Sequence, residues 1–98
     1  MAKKIKTEKG FLIIKMSREE ASTLDFGVGN GICICMECNE ICNDDIYYIA
    51  VLNDIMCEEC YNKHMEEATY YPEDSKIEQR NYDFYIAMLK HNGIKIEQ

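Results

Sequence analysis

The chain has 98 residues, 18 Asp plus Glu against 11 Lys plus Arg, and six cysteines. That length accommodates one small core and excludes a two-domain enzyme. The net charge of −7 argues against nucleic-acid binding over the whole surface, and no apolar run approaches the ~18 residues that would span a bilayer.

Residues 1–10, MAKKIKTEKG, are basic and read as a flexible arm. Behind them FLII is too short for the apolar core of a secretory signal, so the expected compartment is the cytoplasm. Phe11 to Met16 is short and rich in branched residues, which predicts a buried strand. Ser17-Arg18-Glu19-Glu20 has the form of a capping box, with Ser17 as N-cap and Glu20 three residues later, and predicts a short helix over 18–24. Gly27-Val28-Gly29-Asn30-Gly31 then reads as a loop. It lacks the Lys-Ser/Thr ending and the spacing of a phosphate loop.

The cysteines carry the chemistry. Thiols stay reduced in the cytoplasm, so six of them are not expected to form three structural disulfides. Cys35 and Cys38 form CMEC, Cys57 and Cys60 form CEEC, and 18 residues separate the pairs. A two-residue spacer lets both sulfurs of a pair face one ion. Two such pairs supply four thiolates at tetrahedral corners, the pattern of a zinc site. With every corner taken by protein, no position remains for a reactive water, so one structural Zn2+ per chain is expected. Buried free thiols are the bland alternative, and a redox dithiol the other. Neither pair follows a strand of a βαβ unit, which disfavours the dithiol. Cys33 alternates with Cys35 through Ile34 and reads as core packing. Cys42 reads as a substitute ligand or as a packed thiol. His64, one helical turn after Cys60, reads as a surface residue, with replacement of a thiolate ligand or a hydrogen bond to one as the alternatives.

Between the pairs, Ile46 to Leu52 is β-prone, Asn53-Asp54 signals a turn, and Ile55-Met56 returns: a β-hairpin. CEECYNKHMEEATYY is helix-prone up to Pro72, with Tyr61, Met65 and Ala68 or Thr69 on one face. Glu58 and Glu59 fall in its first turn, where the helix dipole favours negative charge. A second helix is expected over 75–92, with Ile77, Phe84 and Met88 at near-helical spacing beside Tyr85 and Leu89, and Gly93 as its C-terminal cap. Ile94-Lys95-Ile96 alternates and is expected to add an edge strand beside residues 11–16. Residues 1–98 read as a single domain whose zinc-binding core spans 33–70.

The order knuckle, hairpin, then a second CxxC at the start of a helix resembles the treble-clef zinc finger, on Cys35, Cys38, Cys57, Cys60 and the helix after them. The resemblance implies a small α+β zinc-binding domain flanked by an N-terminal strand and a C-terminal helix. It also implies that Cys57 and Cys60 sit where free N–H groups of a helix N-terminus can reach thiolate sulfur. A zinc ribbon, with the second pair on a hairpin, is the runner-up. Treble-clef nucleases carry a catalytic histidine on the hairpin. Here the histidines are His64 and His91, so no catalytic residue is assigned and no enzyme activity is expected.

Charge is uneven. Residues 1–15 carry Lys3, Lys4, Lys6, Lys9 and Lys15 against Glu8, whereas residues 35–75 carry eleven acids against Lys63. Direct nucleic-acid reading by the cysteine half is therefore disfavoured, and a basic protein partner suits it better. The expected function is a non-catalytic zinc protein acting through protein contacts on an acidic surface. Its sharper form is a small phage or mobile-element inhibitor of a basic nucleic-acid enzyme. The alternative is a nucleic-acid-binding zinc-finger regulator that uses the basic N-terminal arm.

Overall fold

The computed structural model describes residues 2–17, 20, 35–41 and 45–97. The expected helix over 18–24 (Glu20 apart), the glycine loop, Cys33 and Cys42 lie outside the described residues. The architecture is α+β. Strands β1 (Ala2–Lys6), β2 (Leu12–Met16), β3 (Ile46–Ile49), β4 (Asp54–Cys57) and β5 (Ile96–Glu97) form one sheet in the order β4-β3-β2-β1-β5. Helices α1 (Glu58–Glu67) and α2 (Ser75–His91) follow β4, joined through a 3-10 turn at Pro72–Asp74.

β1 corrects the expectation of a flexible arm over residues 1–10. Ala2–Lys6 lies inside the sheet, antiparallel to β2 with Lys3 opposite Lys15 and Ile5 opposite Ile13, and parallel to β5 with Ala2 opposite Ile96. The run of lysines hid a strand. Lys3, Lys4 and Lys6 are exposed to water, while Ala2 and Ile5 supply the apolar contacts. β5 accordingly joins β1 rather than residues 11–16, because β1 occupies that place. The turn Thr7–Gly10 closes the β1–β2 hairpin through Thr7 N–H to Phe11 O and Gly10 N–H to Thr7 O. Gly10 has φ +104°, a conformation that suits glycine, and a side chain there would meet the Tyr70 ring at 3.6 Å.

The central hairpin forms, but its first strand ends at Ile49 and not at Leu52, and the turn lies over residues 50–53, with Asn53 at φ 55° and Asp54 already in β4. All four residues of β3 are buried, which requires cover on both faces. Neighbouring tyrosines show how. Tyr47 and Tyr48 point to opposite sides of the strand. Tyr47 stacks on Tyr61 of α1 with ring centroids 4.0 Å apart, and Tyr48 stacks on Tyr85 of α2 at 3.7 Å. One helix therefore covers each face. The core joins Ile13, Ile14, Met16, Ile46, Ile49, Met56 and Leu89, all essentially inaccessible to solvent.

The α2 face agrees with the expected one at Tyr85, Met88 and Leu89 and departs from it at Ile77 and Phe84. Ile77 and Phe84 are exposed, and the sheet-facing stripe is Glu78, Tyr82, Tyr85, Ile86 and Leu89. Polar anchors fix this rotation. Buried Glu78 accepts the Leu12 N–H at 3.1 Å, and Asn81 Nδ2 donates to Ala50 O at 2.8 Å. Tyr85 hydroxyl reaches Met16 Sδ at 3.8 Å. The helix ends as Gly93 predicts. Gly93 takes φ +76°, Gly93 N–H bonds Lys90 O, and Ile94 N–H bonds Leu89 O, a Schellman closure.

α1 stops at Glu67, short of Pro72, with Ala68 already extended at ψ 143°. Two long-range contacts end it early. Lys9 Nζ donates to Met65 O and Ala68 O, each at 2.7 Å, and Tyr70 turns its ring edge onto Phe11 at 5.4 Å. Pro72 instead opens the 3-10 turn that leads into α2. Ser17 and Glu20 form the expected reciprocal capping box, with Ser17 N–H to Glu20 Oε1 at 2.9 Å and Glu20 N–H to Ser17 Oγ at 3.1 Å.

Candidate metal centre

The four cysteines singled out by spacing converge. The sulfurs of Cys35, Cys38, Cys57 and Cys60 all lie within 4.8 Å of one another, and Cys38 Sγ is 4.0 Å from Cys57 Sγ. All four are free thiols, not disulfides. A tetrahedron with metal–sulfur bonds of about 2.3 Å has sulfur–sulfur edges of about 3.8 Å, so the group needs only a small contraction to hold one ion. Four soft sulfur donors with no oxygen or nitrogen among them fit a four-cysteine zinc site.

Local structure explains the convergence. Cys35 starts a turn over residues 36–38, closed by Asn39 N–H to Cys35 O and Cys35 N–H to Glu40 O, both at 2.9 Å. Asn39 adopts φ 61°, the left-handed conformation that asparagine tolerates, and this reverses the chain after Cys38. Cys57 is the last residue of β4 and the N-cap of α1, and Cys60 sits in the first turn. The Cys57 side chain makes no capping hydrogen bond, leaving its sulfur for the cluster.

Backbone donors surround the sulfurs. The Cys35 thiol is buried, which opposes ionisation. N–H groups of Cys38, Cys57 and Glu37 outweigh that and hold it down to about 7. Cys60 is pushed well up by burial and then by the sulfurs of Cys57, Cys38 and Cys35. At Cys38 the Glu40 N–H favours the thiolate, but desolvation and hydrogen bonds to Cys35 and Cys57 raise it overall. Without a cation only part of the cluster ionises, because adjacent thiolates repel. A divalent ion removes that repulsion, so metal uptake would release protons.

His64 does not join the cluster and is not a plain surface residue either. It is half-buried on α1 with its ring centroid 6.5 Å from that of Phe11, and its Nε2 is buried without a hydrogen-bond partner. It lines a mainly apolar cleft of about 250 Å³ with Phe11, Leu52 and Tyr71. Sequence reasoning also missed Met36, whose N–H donates to Ile55 O at 3.1 Å while its Sδ accepts the Ile55 N–H at 3.4 Å. Nothing in CMEC marks the intervening residues as edge contacts.

The surroundings are acidic. Glu37, Glu40, Glu58 and Glu59 are exposed beside the four ligands. Asp54 is raised above the usual carboxylate range by burial and by Glu37. Tyr47 hydroxyl donates to Glu58 Oε1 at 3.4 Å, linking the first turn of α1 to β3. Among the described residues no helix is long and apolar enough to cross a membrane. Comparison with protein families, curated proteins and solved structures finds no match.

Proposed function

We propose that the chain is a non-catalytic protein built around one structural zinc ion and acting through protein contacts on its acidic surface. The convergence of four cysteine sulfurs within 4.8 Å carries this reading. All four tetrahedral positions are filled by protein, which leaves no place for an activated water. The order of Cys35–Cys38 knuckle, β3–β4 hairpin and α1 with Cys57 and Cys60 at its start supports a treble-clef arrangement over a zinc ribbon. Elemental analysis of the purified chain tests the centre. One zinc per chain is expected, and none from Cys57→Ser. Full zinc content in that variant would overturn it.

The partner is a basic protein surface, and its sharpest form is the nucleic-acid groove of an enzyme that this chain would block as a phage or mobile-element inhibitor. Exposed Glu37, Glu40, Glu58 and Glu59, flanked by exposed Met36 and Ile41, support an acidic contact with apolar anchors. Binding to such an enzyme should weaken as salt rises. Salt-independent association would count against it.

Nucleic-acid regulation through the N-terminal lysines is the second reading, supported by exposed Lys3, Lys4 and Lys6 on β1. It is the weaker one. Lys9 is engaged at α1, and Lys15 lies 3.4 Å from Asp45, so the basic segment offers fewer free cations than its sequence suggests. Replacing Lys3, Lys4 and Lys6 by Gln, with DNA and RNA affinity measured at two salt concentrations, separates the readings.

A further inference from the structure

β4 is an outer strand of the sheet, so among the described residues one side of its backbone has no neighbouring strand. Such an edge is a template for pairing with another chain unless something covers it. Here the cover is the cysteine knuckle. Met36 N–H bonds Ile55 O at 3.1 Å and Met36 Sδ accepts the Ile55 N–H at 3.4 Å. In an antiparallel pair alternate residues face the partner strand. Ile55 and Cys57 therefore face outward, while Asp54 and Met56 face β3 opposite Ile49 and Tyr47. Among the described residues both hydrogen bonds to this edge come from Met36, next to Cys35, and the proposed ion ties that segment to the end of β4.

We infer that the knuckle is a metal-held cover on the β4 edge, and that withdrawing the ion converts this edge into a pairing site for a second copy of the chain. The segment Asp54-Ile-Met-Cys57 has no proline, and its one charge is the half-buried Asp54 at its start. The opposite edge, β5, has only two residues, so the uncovered β4 is the longer template. Two identical antiparallel strands centred on Met56 are related by a two-fold axis, an isologous contact that closes at the dimer. That register sets Ile55 opposite Cys57 of the second copy. It also sets Asp54 opposite Glu58 of the second copy, so like charges oppose the contact and added salt strengthens it. This sign is the reverse of that expected for the basic partner.

The inference rests on the metal reading, and the experiment keeps the two apart. Metal content, amide hydrogen exchange and sedimentation are measured on the full chain, zinc-loaded and then chelated under reducing conditions. Chelation is expected to cut protection at Ile55 and Cys57 at least tenfold in dilute protein and to leave Met56 protected. Raising the concentration should then give a dimer that recovers protection at the same two amides. A chain that binds one zinc, loses it and stays monomeric at every concentration overturns the edge inference and leaves the metal reading standing. A chain that never takes up metal overturns the metal reading. In that case Met36→Pro, which removes both the donor and the acceptor facing Ile55 and leaves the four cysteines in place, tests the cover alone. Dimerisation of that variant supports the cover, and a monomer overturns it. A chelated dimer with Ile55 and Cys57 still exchanging freely places the contact elsewhere and also overturns the inference.

Discussion

α1 and α2 lie on opposite faces of one sheet, and each meets it through a tyrosine stacked on a neighbouring residue of β3. What secures them differs. α2 has seventeen residues, buries Glu78, Tyr85, Ile86 and Leu89, and closes through its own Schellman turn. α1 has ten residues, buries none fully, and is held at its ends by groups distant in sequence. Its N-terminus joins the cysteine cluster, and its C-terminus is capped by Lys9. A helix of ten residues is marginal alone, so external anchors must supply what packing does not. One face of the sheet is secured by burial, and the other would be secured mainly by hydrogen bonding and by an ion held in the cysteine cluster.

Removing the metal should separate the two faces most strongly. Structural zinc contributes an apparent ~10–16 kcal/mol in finger peptides at neutral pH, comparable with or above the ~5–15 kcal/mol net stability of a whole domain. Cys38→Ser is therefore expected to lose zinc and to lose α1 from the circular dichroism spectrum, while α2 amides retain their exchange protection. Disappearance of both helices in a single transition would erase the distinction between the faces.

Truncating the two stacked tyrosines compares the helices directly. Tyr85 is 2% exposed, whereas Tyr61 is half-buried. Tyr85→Ala should cost about 3–5 kcal/mol, in the range of large aromatic-to-alanine changes in cores. Tyr61→Ala should cost about 1–2 kcal/mol, from partial burial and the lost stack. Urea denaturation of the zinc-loaded proteins measures both, and equal losses would mean that α1 is packed as firmly as α2. Below these comes Glu78. Glu78→Met leaves the Leu12 N–H without its acceptor, at about 1–3 kcal/mol, and Glu78→Gln should recover most of the loss. Exchange at the Leu12 amide reports the bond itself.

The contrast also explains what was legible in the sequence. The ligand set was readable because CxxC spacing is a local consequence of how two sulfurs reach one ion. The β3–β4 hairpin, α2 and the Gly93 cap were readable for the same reason, since turn and cap residues act on their own neighbours. Contacts between distant segments were not. Lysine density at the N-terminus read as a loose arm, yet β1 forms because Ile5 and Ala2 face partners supplied by β2 and β5. Ile77 and Phe84 looked like the core stripe of α2, but Glu78 and Asn81 reach backbone groups and turn the helix so that both apolar residues face water. A polar residue that anchors a helix is invisible to hydrophobic periodicity. Lys9 and Met36 likewise act on elements far along the chain.

The smallest expected effect tests the least legible contact. Lys9 lies 56 positions from Met65, and its ammonium bonds the carbonyls of Met65 and Ala68 at 2.7 Å and that of Glu66 at 3.4 Å. Those carbonyls are left free where a helix ends, and a cation there also meets the negative end of the helix dipole. Lys9→Met keeps most of the stem and removes the charge, so the change isolates the cap from packing. A loss of about 0.5–1 kcal/mol is expected, smaller at high salt because the group is exposed. Faster amide exchange at the C-terminal end of α1, with α2 unaffected, would locate the loss at that end. If stability and exchange stay unchanged, the edge contact of Tyr70 on Phe11 is enough to end the helix, and the metal cluster becomes its one long-range anchor of consequence.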